Sequence, residues 1–257
     1  MSTDNKACAE TLNHYFHSQF CADECITNLP FLPVHSRAFE VQPDGIKKLI
    51  RDLKNNKSPG PDQIRKCELL IDPDVVAQYL TPIFQMSVDT GVLPFQWKTA
   101  NVTPIHKKGP KEEVSNYRPI SLTSIPCKML EHIVLHYLNK SLDNVLYNRQ
   151  HGFRKGLGCE TQLCATYHDL AKALENGSTT HAVILDFKKA FDKVPHSLLL
   201  QKLRQIDGVD PSIANWIQGF LTDRHQRVAV RGTLSTDLPV SSGMLQGSTL
   251  WPTLSTQ

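Results

Sequence analysis

The sequence predicts an α+β fold. Three observations carry this. Apolar residues recur at helical spacing in several long segments, as in Ile46, Leu49, Ile50 and Leu53. Other stretches are too short for helices and either alternate or run apolar, such as Ala100-Asn-Val102-Thr-Pro104 and Ala182-Val-Ile-Leu185. Proline- and glycine-bearing breaks separate the two kinds of segment. With 257 residues, 40% hydrophobic and 21% charged, the chain has the material for a substantial core. Its net charge of +3 permits a nucleic-acid partner without indicating one, since that signal would be a local patch.

In chain order, Thr11 to Phe20 reads as an amphipathic helix through Leu12, Tyr15, Phe16 and Phe20. His14, His17, Cys21 and Cys25 ride on or beside it. They fall within twelve residues, without the second half of a zinc finger, so zinc is not expected. Asn28 to Pro43 reads as a connector. Asp44 is expected to cap a helix over Gly45–Lys54, which Asn55-Asn-Lys-Ser-Pro-Gly-Pro-Asp62 ends, Gly60 allowing a tight turn. A further helix over Asp74–Thr90 stops at Gly91. Trp97 to Pro110 and Asn116 to Leu122 read as a hairpin with a basic loop. Its Lys107, Lys108, Lys111 and Arg118 suit either a triphosphate cradle or a solvated sheet edge. Ser124–Leu142 and Thr161–Asn176 are expected helices, the second through Leu163, Tyr167, Leu170 and Leu174. His132 and His136 fall on the surface of the first. Leu198–Ile206 and Ile213–Leu221 are two more helices, the latter announced by Asp210-Pro211. Gln226–Arg231 and Thr236–Val240 are short strands about a turn at Gly232.

The chemistry centres on His181 to Val194. Ala182–Leu185 is apolar as a strand buried on both faces would be, and it stops at Asp186. A carboxylate there either meets a metal ion or caps a short helix over Phe187–Asp192. Asn148 to Cys159, with its glycines and cations, suits a phosphate backbone or a plain loop. The odd, scattered set of seven cysteines points to free thiols. The polar start carries no signal peptide, and no run approaches a membrane span, so a soluble, intracellular chain is expected.

Five signatures occur in order: Asn56-Lys-Ser-Pro-Gly-Pro-Asp62; Lys107-Lys-Gly109 with Asn116-Tyr-Arg-Pro-Ile-Ser121; Gln150-His-Gly-Phe-Arg-Lys-Gly156; Leu185-Asp-Phe-Lys-Lys-Ala-Phe-Asp192; and Gln246-Gly-Ser248. Together they resemble the reverse transcriptase of non-LTR (LINE-type, jockey/CR1-like) retrotransposons, an RNA-directed DNA polymerase. The resemblance implies a right-hand polymerase: a helical N-terminal extension over 1–95, then fingers and a partial palm over 96–257. It implies that Asp186 is the first catalytic carboxylate and, with the Phe187 carbonyl, holds two Mg2+ ions. Lys107, Lys108 and Arg118 would clamp the incoming triphosphate, and Gln246 and Gly247 would pack on the nascent pair. Phe191 would exclude a ribose 2′-hydroxyl, while Gly152, Arg154 and Gly156 would lie near the template. The implied partners are an RNA template, a DNA primer and deoxynucleoside triphosphates, in an element ribonucleoprotein of cytoplasm and nucleus. No membrane is implied.

The chain departs from this pattern at Leu245, where a proline is usual, and at Trp251, where a glycine is usual. It contains no Asp-Asp pair for a second metal motif. The chain alone is therefore expected not to polymerise, leaving a non-catalytic nucleic-acid-binding remnant as the alternative.

Overall fold

A computed structural model describes residues 4–21, 26, 29–34, 39–53, 58–142, 145–154, 156–187, 189–243 and 246–250. Cys25, Leu245, Trp251 and the opening Asn56 of the first signature lie outside the described residues. The helices are α1 (Asn5–His17), α2 (Pro43–Asp52), α3 (Lys66–Leu69), α4 (Pro73–Thr90), α5 (Phe95–Lys98), α6 (Ile125–Leu142), α7 (Cys159–Glu175), α8 (His196–Arg204) and α9 (Pro211–Leu221). The strands are β1 (Thr99–His106), β2 (Tyr117–Leu122), β3 (His225–Val230), β4 (Thr233–Leu234) and β5 (Leu238–Pro239). The α+β reading holds.

Local chemistry explains most boundaries. Asp72 caps α4, accepting the amides of Asp74 and Val75, with Pro73 in the first turn; Gly91 closes the helix at φ +70°. Asp210 and Pro211 open α9 in the same way, the carboxylate accepting the Ser212 amide at 2.8 Å. At α2 the cap position is Gln42, with no side-chain bond, and Pro43 starts the helix. Asp44 sits inside the first turn, where it complements the helix dipole instead of capping.

The sheet runs β2-β1-β3, with β4 and β5 both pairing β3. The hairpin β1–β2 is antiparallel, Ile105 facing Arg118, whereas β1 and β3 are parallel. Thr236–Val240 is not one strand; β4 starts at Thr233 and β5 covers only Leu238–Pro239. The main core joins α2, α4, α6, α8 and α9 around Phe84, Trp97, Leu130, Trp216 and Phe220. Every residue of α9 from Ser212 on is buried, as befits a helix enclosed on all sides. Against the sheet, Leu12 and Phe16 of α1 pack on Val102 and Val228.

Two apolar segments stay outside. Helix α7 forms at the expected place but buries none of its residues, and Leu163, Tyr167 and Leu174 are exposed. The run Ala182–Leu185 is corrected outright. It forms no regular secondary structure and pairs with no strand, and Ile184 is 92% exposed. A buried strand needs a neighbour for its amides and a layer on each face; among the described residues neither stands against it. No described helix is long and apolar enough to cross a membrane.

Candidate functional site

The β1–β2 hairpin fixes the first part of the site. Its loop is closed by the Lys107 amide donating to the Asn116 carbonyl at 2.8 Å and by Asn116 Nδ2 donating to the Pro110 carbonyl at 2.9 Å. Gly109 sits at φ +86°, and a Cβ there would meet Asn116 Nδ2 at 2.7 Å, so this position requires glycine. The His106 and Tyr117 rings pack edge to face at 5.3 Å. The loop is thus held by its own contacts, and it aims Lys107 and Arg118 into one cleft. Lys108, in the same loop, is exposed and does not line it.

The loop around Gln246 forms the second part. Its backbone is clamped to β2: the Ser121 amide donates to the Gln246 carbonyl at 2.8 Å. Gly247, at φ +125°, passes so close that a Cβ would stand 2.6 Å from the Ser121 carbonyl oxygen. Gln246 Nε2 reaches Asp192 Oδ1 at 3.5 Å, a long contact.

The third part is the turn Ala190–Lys193, shorter than the helix expected from Phe187. Lys189 precedes it at φ +56°. Its ammonium donates to Tyr15 Oη at 3.1 Å and to Gln19 Oε1, both on or just past α1. The Asp192 carbonyl accepts from Ser242 Oγ at 3.1 Å.

These parts meet in one cleft of about 90 Å³, lined among others by Lys107, Arg118, Lys189, Asp192, Gln246 and Tyr15. That is room for a phosphate-sized group; a whole nucleotide needs a few hundred Å³. Lys189, stretched across to α1, narrows it. Three cations facing one carboxylate give the lining an excess of positive charge, which favours an anion. Burial pushes the Asp192 carboxyl above its ordinary value, while Lys189, the Gln246 amide and Lys107 pull the other way.

Because burial wins at Asp192, its folded-state proton affinity exceeds the unfolded one. Its stabilising contribution is therefore complete below the unfolded value near 3.8 and is lost as pH rises through the folded value. Asp192→Asn, which keeps the acceptor for Gln246, is expected to be more stable than the wild type at pH 7. Urea midpoints should converge as pH falls through the raised value. A less stable variant at pH 7 would mean that attraction to Lys189 outweighs burial.

The remaining expected residues are placed differently. Asp186 and Phe187 are exposed in the same irregular segment and do not line the cleft. Phe191 packs edge to face on Phe153 at 6.3 Å, which brings the Gly152–Gly156 loop beside the Asp192 turn. Gly152 and Gly156 are themselves exposed, and Arg154 donates to the Tyr147 carbonyl at 3.2 Å. On α1, His14 is exposed and His17 Nδ1 pairs with the Pro239 carbonyl at 3.0 Å. His132 and His136 are exposed on α6.

Sequence reasoning missed Lys189, the α1 wall of Tyr15 and Gln19, and Glu131 beneath the Gln246 loop. Only Glu131 carried a signal. It falls at a core position of α6, between Leu130 and Val134, where an acid is out of place.

Residues 105–257 match the family described as reverse transcriptase (RNA-dependent DNA polymerase). Over 81% of its length the chain is 34% identical to the RNA-directed DNA polymerase from mobile element jockey of Drosophila melanogaster, covering 23% of that protein. It is 31% identical over 83% of its length to the probable RNA-directed DNA polymerase from transposon BS of the same species, covering 24% of that relative. For the corresponding protein of transposon X-element the identity is 30% over 83% of the chain, covering 24% of that relative. The chain thus spans about a quarter of the length of these curated relatives.

Proposed function

The chain belongs to the reverse transcriptase (RNA-dependent DNA polymerase) family, and from that membership we propose that it forms the triphosphate-gripping part of a non-LTR retrotransposon RNA-directed DNA polymerase. Its substrates are then deoxynucleoside triphosphates, an RNA template and a DNA primer, in an element ribonucleoprotein of cytoplasm and nucleus. Residues 1–95 act as an N-terminal extension, and 96–257 as fingers and partial palm. One observation carries the reading: three of the five ordered signatures, far apart in sequence, deliver Lys107, Arg118, Lys189, Asp192 and Gln246 to a single cleft.

In this reading Lys107 and Arg118 hold the phosphates, Arg118 offering the planar fork that suits phosphate oxygens. Lys189 exchanges its α1 partners for the incoming anion. Gln246, fixed on β2, bears on the nascent pair. Phe191, backed by Phe153, blocks a 2′-hydroxyl, and the Gly152–Gly156 loop lies toward the template.

In-line nucleotidyl transfer needs Mg2+ held by more than one carboxylate. The described residues do not fit that requirement. Asp186 stands exposed in a segment without regular structure, and no group of three metal-ligating side chains occurs among them. No step is therefore derived through the metal. These 257 residues by themselves are expected to bind and not to extend a primer, which keeps a binding role as the second reading.

The test is binding of a fluorescent deoxynucleoside triphosphate by the whole chain. Lys107→Glu with Arg118→Glu is expected to weaken binding at least about tenfold at low salt, since each reversal replaces attraction with repulsion at contact range. The gap should shrink as salt rises. Equal affinities would return both residues to a solvated hairpin.

A further inference from the structure

Glu131 lies midway along α6 with its side chain fully buried, 0% exposed, in the stripe of Cys127, Leu130, Val134 and Leu138. A carboxylate is expensive there unless it is fully hydrogen-bonded. Its partners come from the segment that follows Gln246-Gly247. Oε2 accepts from Ser248 Oγ, from the Thr249 amide at 2.9 Å and from Thr249 Oγ1 at 3.4 Å. Oε1 faces Cys127 Sγ at 4.0 Å. Cys127 Sγ also lies 4.0 Å from the Trp97 carbonyl, which accepts from the buried Arg224 at 3.2 Å. A positive charge thus stands behind the acid, with the Cys127 thiol and the Trp97 carbonyl between them.

We propose that Glu131 is a positioning residue for the cleft: its buried carboxylate pins Ser248 and Thr249 and thereby sets where Gln246 stands. The loop is held at two points only a few residues apart. On one side Ser121 grips the Gln246 backbone and leaves no room for a Cβ on Gly247. On the other side Glu131 takes the next two residues. With its backbone held at the first clamp and the next residues at the second, Gln246 turns its side chain to Asp192, 3.5 Å away. Hydrogen bonds to a charged acceptor are stronger than neutral ones. That explains why an acid, and not an apolar residue that would pack α6 more cheaply, occupies the position.

This inference rests on the triphosphate reading of the cleft, and the experiment separates the two. The whole chain is compared with Glu131→Met, which keeps volume and helix propensity but accepts nothing, and with Glu131→Gln, which keeps a carbonyl acceptor. A fourth protein, Ser248→Ala with Thr249→Val, removes the loop-side hydroxyls and leaves α6 untouched. Amide exchange of 246–250 is measured against that of β1, alongside affinity for a fluorescent deoxynucleoside triphosphate with Mg2+.

With Glu131→Met, exchange in 246–250 should accelerate while β1 is unchanged, and affinity should fall about tenfold, the scale of one lost charge-assisted bond. Glu131→Gln should recover most of both. If Glu131→Met does not fold, the Ser248–Thr249 variant decides by the same two readouts. Unchanged exchange, or faster exchange with wild-type affinity, overturns the positioning role. A wild-type chain that binds no triphosphate sinks the reading of the cleft instead, and the exchange arm still shows whether Glu131 pins the loop.

Discussion

Gly219→Ala is expected to destabilise the chain by about 3 kcal/mol or more, the upper range for overpacking a core. The naive expectation has the opposite sign. Gly219 lies inside α9, where alanine is favoured over glycine by about 1 kcal/mol. Packing decides otherwise. A Cβ at this position would stand 1.9 Å from the carbonyl oxygen of Gly91 and 3.0 Å from its carbonyl carbon. Both atoms are backbone, so no side chain can swing aside. Gly91 is the left-handed close of α4 and has its own tight fit, a Cβ there reaching the Asn215 carbonyl oxygen at 3.2 Å. The end of α4 therefore leans on α9 backbone to backbone, and Trp216 Nε1 donating to Ser87 Oγ at 3.0 Å locks the pair. Helices α4 and α9 would have to separate by more than 1 Å, through the middle of the core. For a chain of this size the loss corresponds to a fall in melting temperature of roughly 6–12 °C. Calorimetry or a denaturant midpoint with unchanged slope would check it. A neutral or stabilising substitution would mean that the two helices do not approach so closely.

That contact also shows where the sequence was legible and where it was not. The ends of α4 and α9 were readable because caps are local: Gly91 and Asp210-Pro211 mark them within a few residues. The hairpin was readable because alternation and a basic loop sit side by side. The parallel pairing of β1 with β3 was not, since more than a hundred residues separate Val102 from Val228 and no local signal specifies a non-local partner. The same blindness hid the cleft's third wall. Tyr15 and Gln19 looked like parts of an amphipathic helix, and only the folded chain sets them against Lys189.

The Asp186 segment is the instructive failure. Its composition is that of a buried strand, yet composition states only what a segment would bury if a neighbour were present. Among the described residues no neighbour is, so Val183, Ile184 and Leu185 face outward. The residues after the turn fare otherwise. Asp192 is held by Ser242 and Gln246, and Gly243 passes so close that a Cβ would lie 2.6 Å from the Asp192 carbonyl oxygen. One signature thus divides into an unsupported half and a supported half, and only the supported half reaches the cleft.

Gly60→Ala is the second substitution expected to have a large effect, about 2–3 kcal/mol, again from overpacking. Its glycine suggested a tight turn, and one is there, the Gln63 amide donating to the Gly60 carbonyl at 3.1 Å, although Gly60 itself is not among the residues with positive φ. The requirement is room. A Cβ on Gly60 would lie 2.4 Å from the Ser124 nitrogen, 2.5 Å from the Thr123 carbonyl carbon and 2.7 Å from the Ser124 Cα. The proline-flanked loop is pressed onto the backbone that joins β2 to α6. That junction carries both clamps of the Gln246 loop, Ser121 on the strand side and Glu131 on the helix side. Ser124 also caps the helix, its carbonyl accepting the Lys128 amide at 3.1 Å. Pushing the junction away should therefore do two things at once. It should lower stability, and it should lower triphosphate affinity in the fraction that stays folded, because the two clamps would no longer hold Gln246 in register with Asp192. Affinity measured well below the melting transition, and corrected for the folded fraction, separates these effects. Lower stability with wild-type affinity would show that the loop only supports the core. Loss of both would join the first of the ordered signatures to the last through three residues of backbone.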